Sequence, residues 1–110
     1  MTPSDAVEYL ATGHNQLGII YLDAGDIGRA LHHYRESIRL KEARGDLYDA
    51  AGTRFNVAIA LARAGRFADA RQYAEAALRD YQTYGAGAAE DVQHTLDIIS
   101  RIDKSATPNS

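Results

Sequence analysis

The chain has no cysteine in its 110 residues, and that single absence removes disulfide staples, thiol catalysis and thiolate zinc sites together. It also accords with a reducing compartment. Charge of one sign is lacking too: 12 basic and 15 acidic residues give a net charge of -3 and are scattered in mixed order. No basic stripe exists to neutralise a phosphate backbone, so nucleic acid is excluded as a partner. No apolar run reaches the roughly 18 residues of a membrane span. The opening Met1-Thr2-Pro3-Ser4-Asp5 lacks the basic and apolar regions of a secretory signal. No membrane partner is expected, and the expected location is the cytoplasm. β-Branched residues are comparatively few, and alanine dominates an apolar fraction of 45%, which favours closely packed helices.

What is present is a repeat. An offset of 40 aligns residues 11–45 with 51–85 without a gap, and seven pairs are identical, where composition alone gives about three. Placement strengthens the count. Ala24-Gly25 matches Ala64-Gly65, and Gly45 matches Gly85, all at points where a glycine can end a helix in the left-handed conformation. Between these stops the apolar spacing is helical: Leu10, Leu17, Ile20, Tyr21 and Ala24 form one stripe, and Ala70, Tyr73, Ala74, Ala77, Leu78 and Tyr81 another. Five helices are predicted near residues 4–24, 26–44, 46–64, 66–84 and 87–104. Thr2 with Pro3 opens the first, Asp26 and Asp46 cap the next two, and Ser105 to Ser110 is expected to be a disordered tail. Links this short force consecutive helices antiparallel. The whole reads as one domain over 1–104, with repeats over 8–45 and 46–85 and a capping helix over 87–104.

His14-x2-Leu17-Gly18-x2-Tyr21, followed by Ala30-x3-Tyr34 and Ser37, resembles the tetratricopeptide pattern W-x2-L-G-x2-Y…A-x3-F. His14 replaces the tryptophan. The second copy places Arg54, Val57, Ala58, Leu61, Ala70, Ala74 and Ala77 at matching positions. The 40-residue spacing, with Phe55-Asn56-Val57 and the segment around Gly45 to Ala51, is similar to the long repeats of kinesin light chains and cell-polarity scaffolds. The resemblance implies an all-α fold, a right-handed superhelical stack of antiparallel helix hairpins. Gly18, Ala58, Ala30 and Ala70 would let helices approach closely, while Leu17, Tyr21, Val57 and Leu61 would fill the space between hairpins. An offset of 41 carries the fifth helix onto the pattern and puts Ile98, Ile99 and Ile102 on its buried positions.

The resemblance further implies a concave groove lined by the first helix of each hairpin, which accepts a peptide or helix of a partner protein. Its positions fall on Thr12, Asn15, Gln16, Ile19, Leu22 and Asp23, then on Phe55, Asn56, Ile59, Ala62 and Arg63, and finally on Gln93, Leu96, Asp97 and Ser100. In this reading Gln16 and Asn56 hold a peptide main chain, with Asp97 at the equivalent position. Phe55, Ile19 and Ile59 supply apolar contact, and Arg63 meets an acid. No lysine lies on the expected groove, so a lysine clamp for a terminal carboxylate is not expected. The same residues read without a ligand would be core (Ile19, Ile59) or an interhelical hydrogen bond (Asn56).

Other constellations reduce to scaffold. His32 and His33 are adjacent and point about 100° apart on a helix, and His32 with Glu36 offers at most two ligands, so no metal site is expected. Gly85-Ala86-Gly87 follows a helix and has no lysine placed for phosphate. No nucleophile, base and oxyanion donor occur together, so no enzyme and no cofactor is expected. The alternative function is self-assembly as a homo-oligomer, or service as part of a longer repeat array. Exposure of Ala6, Val7 and Leu10, or of Leu96 and Ile98, would favour it.

Overall fold

The computed structural model describes residues 2–106, the side chain of Ser4 apart. The chain is all-α: α1 (Pro3–Asp23), α2 (Ile27–Ala43), α3 (Leu47–Arg63), α4 (Phe67–Tyr84), a 3-10 turn at Ala86–Ala88, and α5 (Ala89–Ala106). It divides into two compact units, Met1–Thr53 and Arg54–Ser110, with the division inside α3.

The helix ends follow from local chemistry. Thr2 and Asp5 form a reciprocal capping box, with the Asp5 N–H donating to Thr2 Oγ1 at 3.2 Å and the Thr2 N–H to Asp5 Oδ2 at 3.1 Å. The Thr2 N–H, and the Thr2 hydroxyl that donates to Asp5 Oδ2 at 2.8 Å, hold the Asp5 carboxyl below its usual range. At the other end of α1, Gly25 takes φ +82°, its N–H donates to Leu22 O and that of Asp26 to Tyr21 O. This double closure satisfies two carbonyls that the helix leaves open. Asp26 then turns round and caps α2, accepting from the Arg29 N–H at 3.1 Å. Gly45-Asp46 repeats the device between α2 and α3, with Asp46 accepting from the Asp49 N–H at 3.4 Å. Gly65-Arg66 closes α3 in the same way. Arg66 offers no side-chain cap to α4 and instead pairs with Asp69 at 2.7 Å.

In the first unit, α2 packs against the side of α1 that carries Ala11 and Gly18. Tyr34 lies over Gly18, and the buried Ser37 Oγ donates to the Ala11 carbonyl at 2.7 Å. Ala30, Ile38, Ala50 and Ala51 complete this core. In the second unit, Val57, Ala58 and Leu61 of α3 are buried, as are Ala70, Ala74, Ala77 and Tyr81 of α4, and Ala88 and Ile102. Arg54, at the position of His14, does not act as an aromatic: it reaches α4 through an ion pair with Asp80 at 2.7 Å.

Three expectations need correction. The stripe of Leu10, Leu17 and Ile20 is exposed, so Leu17 fills no core. The reason is that α2 approaches along the Ala11–Gly18 line, and only Tyr21 at the edge of that stripe is half-buried. The fifth helix starts later and ends later than expected, because Gly85 takes φ +103° and a 3-10 turn precedes it. Ser105 and Ala106 are therefore helical rather than disordered. The rest of the expected tail, 107–110, lies outside the described residues.

Candidate functional site

The second unit presents two recesses between α3 and α5. The larger, about 430 Å³, is lined by Ile59, Ala62 and Arg63 of α3, Phe67 at the start of α4, and Ile98, Arg101, Ile102 and Ser105 of α5. The smaller, about 190 Å³, is lined by Phe55, His94, Asp97, Ile98 and Arg101. They share Ile98 and Arg101, so one strip of surface runs along α3 from Phe55 to Arg63.

The α3 wall exists because Phe55, Ile59, Ala62 and Arg63 recur at helical spacing on one side. Val57, Ala58 and Leu61 face the core on the other. The α5 wall is set by Thr95 and Ile102, which are buried and hold Ile98 and Arg101 toward α3. Thr95 Oγ1 donates to the Asp91 carbonyl at 2.7 Å, so its burial leaves no hydroxyl unsatisfied.

Chemically the larger recess is an apolar floor with two guanidinium groups beside it. Neither Arg63 nor Arg101 has an acidic partner among the described residues. Toward the smaller recess the surface becomes mixed, with Asp97 and His94. A recess of this size has room for one or two large apolar side chains of a bound chain, with its charged rim left in water.

Of the residues expected to line a groove, Phe55, Ile59, Ala62, Arg63 and Asp97 come together here. Asn56 is exposed, lines neither recess, and has no hydrogen-bond partner among the described residues; it is not an interhelical tie. In the first unit Asn15, Gln16, Ile19 and Asp23 share one face of α1, and Ile19 is 46% exposed, so it is not core. Gln93, Leu96 and Ser100 are exposed and line neither recess, and His94, Ile98, Arg101, Ile102 and Ser105 take their place beside Asp97. The residues of α5 that line the recesses thus lie about one position further along than those that the repeat pattern implied. Reading outward from the buried positions Thr95 and Ile102 would have found Ile98 and Arg101, and Phe67 had no periodic signal.

A second cluster lies in the first unit, between α1 and α2. The Nδ1 atoms of His14 and His33 are 3.0 Å apart, with the rings stacked at 5.3 Å. Tyr21 stacks on His33 at 5.4 Å and carries the Arg29 guanidinium 5.7 Å from its ring centroid. His32 meets His33 edge-on. Burial, then the neighbouring His14 and His32, push the His33 imidazole below its ordinary value. Glu36 is engaged by Arg39 at 2.8 Å, so it does not stand beside His32 as a free ligand. Among the described residues no three histidine, cysteine or carboxylate side chains are placed to hold a metal ion. Nor, among those residues, is any helix long and apolar enough to cross a membrane.

Compared with known families, residues 9–83 match the family described as tetratricopeptide repeat. No match was found among curated proteins or solved structures.

Proposed function

The chain belongs to the tetratricopeptide repeat family, and from that premise we propose that its α3–α5 recess captures a short segment of a partner protein carrying a large apolar side chain next to an acidic one. Members of this family generally mediate protein–protein interaction and act as non-catalytic scaffolds. The observation that carries the finer reading is the pairing of an apolar floor, Ile59, Ala62, Phe67, Ile98 and Ile102, with Arg63 and Arg101 beside it.

The physical logic is differential. An apolar side chain entering the recess leaves water at about 25 cal/mol per Å² of buried apolar area. A carboxylate beside it meets a guanidinium, with the option of a bidentate pair. Asp97 at the far end disfavours a second acid beside it and so orients the segment. The exposed Asn56 is free to pair with the backbone of a bound chain. With so small a surface the expected affinity is micromolar. A cytoplasmic place of action belongs to the same proposal, on the ground of the cysteine-free composition.

The test is a selection of random displayed peptides on the whole chain, counter-screened on the Arg63→Glu/Arg101→Glu double variant. Both arginines are exposed, so the variant keeps its fold. Enrichment of Leu, Ile or Phe beside Asp or Glu, with loss of binding to the double variant, supports the proposal. Selected peptides without acids, or peptides bound equally by the variant, overturn it.

A further inference from the structure

We propose that α1 carries a self-complementary apolar face on which the α1 of a second copy of this chain docks antiparallel. At about 100° per residue, positions 6, 10, 13, 17, 20 and 24 fall on one line along the helix, in the alternating steps of four and three that make a coiled-coil seam. They hold Ala6, Leu10, Gly13, Leu17, Ile20 and Ala24. The line is centred about 130° round the helix from Ala11 and Gly18, the residues that α2 covers. It is open: Leu10 is 53% exposed, Leu17 40%, Ile20 60%, and the flanking Tyr9 74%. Asp5, Glu8 and Asp23, the only formal charges on α1, lie about 100° or more away from it. A continuous apolar face of this kind on a finished helix marks an interaction surface.

The order of side-chain sizes identifies the occupant. Two copies of the line run antiparallel about residue 15 place Ala6 opposite Ala24, Leu10 opposite Ile20, and Gly13 opposite Leu17. Each contact then recurs on the other side of the dyad, as an isologous interface requires. A parallel pair would instead set Gly13 against Gly13 and leave a void. Gly13 adds an independent observation. Apart from its chain neighbours and the backbone of its own helix, nothing lies within 4 Å of where its β-carbon would be, yet glycine inside a helix weakens it relative to alanine. The gap it leaves fits the Leu17 side chain of a second copy. The face that holds Asn15, Ile19 and Asp23 lies on another side of α1, so pairing leaves it open. From Ala6 to Ala24 the line runs about 27 Å, one helix face and the small end of the range for specific interfaces.

The experiment is sedimentation of the full chain from ~1 μM to ~1 mM, with a micromolar dimer expected. Leu17→Glu, an exposed position, is expected to raise the dissociation constant at least tenfold while leaving the helical circular dichroism unchanged. Gly13→Ala is expected to raise the melting temperature of the monomer and yet weaken the dimer. Orientation is read from single-cysteine variants, which the cysteine-free chain makes unambiguous: under mild oxidation a mixture of Gly13→Cys and Leu17→Cys chains should cross-link preferentially as the mixed pair. A monomer throughout the range, a dimer that Leu17→Glu leaves intact, or a preference for Leu17→Cys pairing with itself overturns the proposal.

Discussion

Gly18 and Tyr34 meet across the α1–α2 contact so closely that a β-carbon on Gly18 would lie 2.8 Å from Tyr34 Cε1 and 2.9 Å from Cδ1 and Cζ. The Tyr34 ring is itself buried, and burial, with Asp23 nearby, pushes its phenol above the ordinary value. It has little room to yield.

Gly18→Ala should therefore destabilise the chain. Overpacking of this kind costs about 1–3 kcal/mol, partly offset by about 1 kcal/mol of helix propensity. Gly13→Ala, with open space around it, should do the opposite and stabilise by roughly 0.5–1 kcal/mol. Urea unfolding of the two variants at low micromolar concentration checks the contrast in sign.

Arg66 stands where Asp26 and Asp46 cap their helices, and it supplies no side-chain acceptor to α4. Arg66→Asn should stabilise the chain, since a competent cap contributes about 0.5–2 kcal/mol. Loss of the exposed pair with Asp69 subtracts about 0.2–1 kcal/mol. A higher melting temperature is the expected reading, and an unchanged or lower one would show that α4 gains nothing from a cap.

The histidine cluster makes stability depend on pH in a definite direction. His33 has its imidazole pushed below the ordinary 6.5, so below that pH the unfolded chain binds a proton that the folded chain resists. Stability then falls as pH drops from about 6.5. His33→Phe keeps the stacking on Tyr21 and removes the titrating group. Denaturation midpoints between pH 7.5 and about 5 should fall for the parent and change less for the variant.

Much of this architecture is legible in the sequence, for local reasons. Gly25-Asp26 and Gly45-Asp46 each end one helix and begin the next, so both boundaries are written in two residues. The alanines at 30, 58, 70, 74 and 77 are buried as their spacing implies. What the sequence hides is which of two apolar stripes a helix buries. α1 offers both Ala11–Gly18 and Leu10–Leu17–Ile20; the repeat pattern placed Gly18 at the helix contact, but the expectation that Leu17 is covered as well fails. Close approach selects the smaller pair, because Tyr34 needs the space over Gly18. The same holds for α5, where burial of Thr95 rather than Leu96 turns Arg101 into the recess. The recess residues on α3 are those that the repeat resemblance implied, whereas Phe67 and Arg101, which it did not name, depend on tertiary packing.

The central claim is that the surface between α3 and α5 binds an acidic, apolar segment, and residue-resolved titration tests it most directly. The chain labelled with nitrogen-15 would be titrated with a synthetic peptide carrying a Leu-Glu pair, and the amide shifts mapped. The account predicts shifts concentrated at Phe55, Asn56, Ile59 and Arg63 on α3 and at Asp97, Ile98 and Arg101 on α5, abolished by Arg63→Glu/Arg101→Glu. Shifts confined to α2 or to the outer face of α4, or unaffected by the double substitution, would contradict it.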